Sequence, residues 1–131
     1  MYAATPPLEA LKLLIAHAAS DQTNKKYHIM LSDVKRAYFH ALARRDLYVE
    51  LPEEDPNYKP GWVGRLRLAL YGTRDAASLW QECLSKHLLS IGFTRGKSNP
   101  CVFYHREKDL RVLVHGDDYV TAGELEGLKW L

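Results

Sequence analysis

Two short apolar runs, Val112-Leu113-Val114 and Tyr119-Val120, are separated only by His115-Gly116-Asp117-Asp118. Strand-prone runs around a Gly/Asp turn read as a β-hairpin, and a hairpin is stable only as part of a larger sheet. This turn carries two adjacent carboxylates. In a regular strand neighbouring side chains point to opposite faces, so the two Asp can cooperate only where that alternation breaks. Gly116 supplies the backbone freedom for the break. Gly-Asp-Asp is equally an ordinary polar turn, and on these residues alone both readings stand.

Asp33 ends another apolar run, His28-Ile29-Met30-Leu31-Ser32-Asp33. An Asp just after a strand is often an N-cap, here for a helix through Ala37–Ala43. If it meets the Asp117-Asp118 pair instead, the three repel. At an effective dielectric near 20, a like-charge pair about 4 Å apart costs about 4 kcal/mol. A divalent cation turns that cost into attraction, and oxygen-only ligands select hard ions such as Mg²⁺.

The rest of the chain supplies a frame for such a hairpin. Pro6-Pro7 and the spacing of Leu11, Leu14, Ile15 and Ala18 predict an amphipathic helix over 8–19. A polar loop, Ser20–Lys26, leads to a strand over 27–33, then a short helix over 36–44 and a strand over 47–51. An acidic, Pro-rich loop at 53–61 precedes a strand over 62–70, with Arg65 and Arg67 on one face and Leu66, Leu68 and Leu70 on the other. The clearest helix spans 75–91, where Ala76, Trp80, Cys83, Leu84, His87, Leu88 and Ile91 form one stripe and Gly92 is a stop. His87 on that stripe is expected to be buried and hydrogen-bonded. Strands at 101–104, 110–115 and 119–122 follow, then a helix from Glu124. The expectation is one α+β domain over 1–131, a small antiparallel sheet with helices packed on one face.

The 131 residues suffice for a real core. A composition 47% hydrophobic and 26% charged is that of an ordinary globular chain. A net charge of +2 falls short of a strongly basic nucleic-acid binder, so any such role needs the Lys and Arg gathered on one face. Cys83 and Cys101 are too few for a disulfide framework or a zinc site. They read as buried apolar residues in a reducing, intracellular setting. No run approaches the roughly 20 apolar residues of a membrane span, and no signal peptide is visible.

Three segments together carry a resemblance. Leu31-Ser32-Asp33-Val34-Lys35-Arg36-Ala37-Tyr38-Phe39 resembles the first catalytic motif of reverse transcriptases, an Asp with an aromatic shortly after. Leu70-Tyr71-Gly72-Thr73-Arg74-Asp75-Ala76-Ala77-Ser78-Leu79-Trp80 is similar to the second motif as copia-type retrotransposons carry it. Val114-His115-Gly116-Asp117-Asp118 resembles the paired-Asp third motif. The Ala3–Ala19 stretch and Tyr48–Glu53 are similar to segments bracketing the first motif, so the similarity runs from about residue 3 to 123.

The resemblance implies the palm core of an RNA-directed DNA polymerase from a retrotransposon polyprotein. Its substrates would be an RNA template, a DNA primer and deoxynucleoside triphosphates, in a cytoplasmic particle or the nucleus. It also implies nucleotidyl transfer with two Mg²⁺ ions, Mn²⁺ being a possible substitute. Asp33 and Asp117 would bridge the metals, the Val34 carbonyl would be a further ligand, and Asp118 a weaker or outer carboxylate. Tyr38 would pack under the incoming sugar, where its ring clashes with a ribose 2′-hydroxyl, leaving Phe39 to the core. Arg74 and Asp75 would approach nucleotide and template, and Arg65 and Arg67 could touch duplex phosphates.

The chain departs from the family pattern at Asp75 and Ala77, where Gln and Pro are usual, and at His115, where an aromatic is usual. A carboxylate at 75 should weaken triphosphate binding unless Arg74 neutralises it. Fingers and thumb are expected to lie outside these residues, leaving the chain alone with little or no activity. Two other readings remain: a catalytically inactive remnant that binds nucleic acid or serves structurally, and an unrelated α+β domain whose carboxylates are caps and turns.

Overall fold

The computed structural model describes residues 3–20 and 24–131; part of the expected 20–26 loop lies outside them. Helix α1 (Leu8–Ala19) leads into strand β1 (Tyr27–Asp33). A single 3-10 turn at Ala37–His40 and a two-stranded ribbon, β2 (Tyr48–Glu50) with β3 (Val63–Arg65), come next. Helix α2 (Ala76–Ser90), strands β4 (Thr94–Arg95), β5 (Val102–His105), β6 (Leu110–His115) and β7 (Asp118–Glu124), and helix α3 (Leu125–Trp130) complete the chain. The main sheet is antiparallel throughout, in the order β1-β7-β6-β5-β4. No helix among the described residues is long and apolar enough to cross a membrane.

The central strand β6 explains the layering. Its alternate residues Leu110, Val112 and Val114 join Phe103, Phe93, Leu88 of α2 and Leu128 of α3 in one buried cluster. The intervening Leu113 is also buried, in a second cluster with Leu14 of α1, Cys101 and Ala122. A strand apolar on both sides must be covered on both sides, each buried Leu or Val contributing about 1.5–3 kcal/mol. Helices therefore occupy both faces of the sheet, α2 and α3 on one and α1 on the other, rather than the one face expected. The α1 face holds Ala10, Leu11, Leu14 and Ala18, whereas Ile15, expected in the stripe, is exposed.

Three further expectations change. The 36–44 helix shrinks to the 3-10 turn, because Arg36 takes a left-handed conformation (φ 56°). The residues after the turn pair instead with the 62–70 segment: the Ala69 N–H donates to Ala41 O at 2.9 Å and the Ala43 N–H to Arg67 O at 3.0 Å. That segment is a strand only at Val63–Arg65, with an isolated bridge between Leu42 and Leu68. On α2, Trp80 and Leu88 are buried as expected, but Leu79 and Ser85 complete the packed face and His87 is exposed.

Candidate active site

Strands β1 and β7 run antiparallel in a register that places Asp33 directly opposite Asp118, and Asp118 is in turn paired with His115 across the hairpin. Directly opposed residues share a face, with Cβ atoms about 4.5–5.5 Å apart. Asp33, Asp118 and His115 thus form one cross-strand row at the end of the sheet. Both carboxylates are exposed, and neither has a hydrogen bond or ion pair among the described residues. Asp33 caps nothing: the 3-10 turn begins after Arg36, with no side-chain cap. Two like charges thus stand opposed with no cationic partner among the described residues, an arrangement that costs stability.

The turn between β6 and β7 consists of Gly116 and Asp117. Gly116 has φ 60°, the positive angle that a tight hairpin turn with Gly first requires. The turn is anchored twice. The Val34 N–H donates to Asp117 O at 3.2 Å, and the Trp80 indole N–H of α2 donates to Gly116 O at 3.0 Å. The first motif, the paired-Asp turn and the second motif's helix therefore meet at one end of the sheet.

The Asp117 carboxylate turns toward Tyr71, in the loop before α2, whose hydroxyl donates to Oδ2 at 3.2 Å. Its Oδ1 is buried and has no hydrogen-bond partner among the described residues. The Tyr71 ring stacks on Tyr38 with centroids 4.2 Å apart and planes 20° apart, and meets Phe39 edge-on at 5.8 Å. Burial, and then the charge of Asp117, pushes the Tyr38 phenol up. Tyr38 is half-buried, while Phe39, expected in the core, is 37% exposed.

Among the described residues no three His, Cys, Asp or Glu side chains converge closely enough to form a ready-made metal cage. The donor set still suits a hard cation. Asp33 and Asp118 present carboxylate oxygens with no competing partner among the described residues, and Asp117 Oδ1 is a desolvated acceptor that costs about 1–3 kcal/mol while unmet. Mg²⁺ takes few protein ligands and retains several waters, so an open, oxygen-only site fits it better than a closed cage does.

A sequence profile described as "Reverse transcriptase (RNA-dependent DNA polymerase)" matches residues 2–129. The chain belongs to the reverse transcriptase family. It is 31% identical over 106 residues to the Retrovirus-related Pol polyprotein from transposon RE1 of Arabidopsis thaliana, covering 76% of this chain and 7% of the relative. It is 29% identical over 100 residues to the corresponding polyprotein from transposon TNT 1-94 of Nicotiana tabacum, covering 73% and 8%. A putative transposon Ty5-1 protein of Saccharomyces cerevisiae is 28% identical over 93 residues, covering 69% and 30%. This reverse transcriptase chain thus spans less than a tenth of the length of the plant polyproteins it matches. No solved structure matches it.

The departure at Asp75 is resolved by a residue the sequence did not single out. Asp75 is 7% exposed and accepts two hydrogen bonds from Arg45, Nε to Oδ2 at 2.9 Å and Nη2 to Oδ1 at 3.0 Å. Those bonds hold its carboxyl below the usual carboxylate range. Arg45, not Arg74, neutralises Asp75, and Arg74 is left exposed without an ion pair among the described residues. Arg65 pairs with Asp46 at 2.6 Å. Tyr71 and Arg45 were both missed. Tyr71 lies inside the second motif, but its partners are far away in the chain. The basic pair Arg44-Arg45, at the end of the helix expected over 36–44, was the one hint of a counter-charge for Asp75.

Proposed function

We propose that this chain is the palm core of a copia-type RNA-directed DNA polymerase, extending a DNA primer on an RNA template within a retrotransposon polyprotein. The observation that carries the reading is the Asp33–Asp118 register, with Val34 hydrogen-bonded to Asp117, which unites the first and third acidic motifs. Asp33 and Asp117 would hold the metal ions together with the Val34 carbonyl, and Asp118, the cross-strand neighbour of Asp33, adds a further carboxylate. When bound, Mg²⁺ ions lower the pKa of a primer 3′-hydroxyl and neutralise charge on the departing pyrophosphate. Tyr38 presents a ring against which a deoxyribose packs and a 2′-hydroxyl collides. Arg74, with no ion pair among the described residues, is placed to meet a triphosphate or template phosphate, and Asp75 does not repel it because its charge is matched by Arg45.

Primer extension on an RNA template with Mg²⁺ or Mn²⁺ tests the reading in a polyprotein segment that includes this chain. Asp117→Asn should lower the rate roughly 100-fold or more, the scale expected when an electrostatic support of the transition state is removed. Extension that survives the substitution refutes the assignment. RNA binding that is salt-dependent yet indifferent to metal and to Asp33→Asn would mark a non-catalytic nucleic-acid-binding domain instead.

A further inference from the structure

Besides its edge-on meeting with Phe39, Tyr71 makes two contacts that no motif explains. Its hydroxyl donates to one oxygen of Asp117 at 3.2 Å, and its ring lies flat against Tyr38, 4.2 Å between centroids. The loop that presents it is built for the purpose. Gly72 next to it takes φ 88°, a left-handed angle that residues with a side chain adopt at a cost. Thr73 closes the turn, its Oγ1 donating to Leu70 O at 2.7 Å and its N–H to the same oxygen at 3.1 Å. The loop leads straight into α2, whose Trp80 holds the Gly116 carbonyl. One short segment therefore grips the hairpin by its backbone and by its carboxylate.

The hydrogen bond from Tyr71 is selective. It engages Oδ2 and leaves Oδ1 buried with no partner. A carboxylate with one oxygen held by a neutral donor and the other desolvated and unmet by any donor among the described residues keeps an acceptor in reserve for a cation, since an outer donor sets the direction in which that second oxygen faces. The phenol suits this task because it is uncharged. A Lys or Arg there would neutralise Asp117 and compete with a metal. The ring, meanwhile, limits the rotation of Tyr38 by stacking, an interaction worth about 0.5–1.5 kcal/mol.

We propose that Tyr71 is a positioning residue that couples two parts of the site, aligning the Asp117 carboxylate for a divalent cation through its hydroxyl and bracing the sugar-selecting ring of Tyr38 through its own ring. This rests on the metal-dependent reading above and adds a role that the acidic motifs do not contain. The two functions are separable by substitution. Tyr71→Phe keeps the stack and removes the hydrogen bond, whereas Tyr71→Ala removes both.

The test measures binding rather than turnover, using calorimetric titration of the 131-residue chain with Mn²⁺ in the presence of dATP, and then with ATP in place of dATP. Tyr71→Phe should weaken Mn²⁺ binding about tenfold, the lower end for loss of a group that orients a metal ligand, with the preference for dATP over ATP unchanged. Tyr71→Ala should weaken Mn²⁺ equally and also reduce that preference. Thermal melts of the metal-free variants establish that each is folded. Wild-type Mn²⁺ affinity in Tyr71→Phe, in a chain that loses Mn²⁺ on Asp117→Asn, overturns the role of Tyr71 and leaves the metal reading intact. Tighter binding in Tyr71→Phe overturns it too, because the hydroxyl would then be restraining Asp117 rather than aligning it. Mn²⁺ binding unaffected by either Asp33→Asn or Asp117→Asn removes the metal reading, and the role of Tyr71 falls with it.

Discussion

Asp109 sits in the β5–β6 turn, at the opposite end of the sheet from the candidate site, in a left-handed conformation (φ 48°). It accepts hydrogen bonds from the Tyr27 hydroxyl, from Lys25 Nζ and Arg111 Nη1 at 2.9 Å each, and from the Tyr104 hydroxyl at 3.2 Å. Burial by itself would raise its carboxyl, but the bonds from Tyr27 and Lys25 and the charge of Arg111 outweigh burial and hold it far below the ordinary carboxylate range. A folded-state pKa below the unfolded value stabilises the fold at every pH above that unfolded value, and the gain is lost as pH falls through the folded one. Asp109→Asn should therefore cost about 2 kcal/mol at neutral pH, the scale of hydrogen bonds to a charged group. Its deficit against wild type should shrink below about pH 4, as urea denaturation at pH 7 and pH 2 would show. Asp109 thus contrasts with Asp33 and Asp118, strand carboxylates left without donors among the described residues. One is structural cement, and the others keep their charge available.

At the level of elements, what could be read from sequence depended on where hydrogen bonds are made. Helix α2 was legible almost to the residue because its backbone bonds are local and its apolar spacing repeats. The β6–β7 hairpin was legible for the same reason, the turn being marked by Gly116 and the strands by their apolar runs. The 36–44 and 62–70 segments were misread because their partners are each other: Ala41–Ala43 and Arg67–Ala69 trade backbone bonds across a long loop, which no local pattern reports. Glycines at two places in β7 and its hairpin make the point testable. A Cβ on Gly123 would lie 2.4 Å from Leu110 Cδ2, whereas one on Gly116 would meet nothing within 4 Å. Gly123→Ala should cost about 1–3 kcal/mol by overpacking. Gly116→Ala should cost about 1–2 kcal/mol through its positive φ alone. Thermal melts would rank them, and only the Gly123 loss should be relieved by trimming Leu110 to Val.

For the whole molecule, the decisive feature is a sheet covered on both faces. The sequence indicated an α+β domain and left the meeting of its acidic motifs conditional, and it could not reveal that α1 and α2 take opposite sides, since either helix could pack on either face of β6. Leu113 tests that layering. At 3% exposure beneath α1, Leu113→Ala should cost about 2–5 kcal/mol. Leu31, on the same face but 78% exposed on edge strand β1, should tolerate Leu31→Lys within about 0.5 kcal/mol. Equal tolerance at both positions in chemical denaturation would mean that α1 does not cover the sheet. The acidic motifs were legible as residues, but the role of Arg45 and the grip of Tyr71 arise only when the ribbon, the α2 loop and the hairpin are assembled.

The bond from the Trp80 indole to the Gly116 carbonyl also gives the molecule an optical gauge of its own. Trp80 is shielded and hydrogen-bonded to the very turn that bears Asp117, while Trp62 and Trp130 are more than two-fifths exposed. With those two replaced by Phe, the remaining tryptophan fluorescence belongs to a single chromophore hydrogen-bonded to the hairpin, so its colour and intensity follow that turn whenever an ion or nucleotide disturbs it.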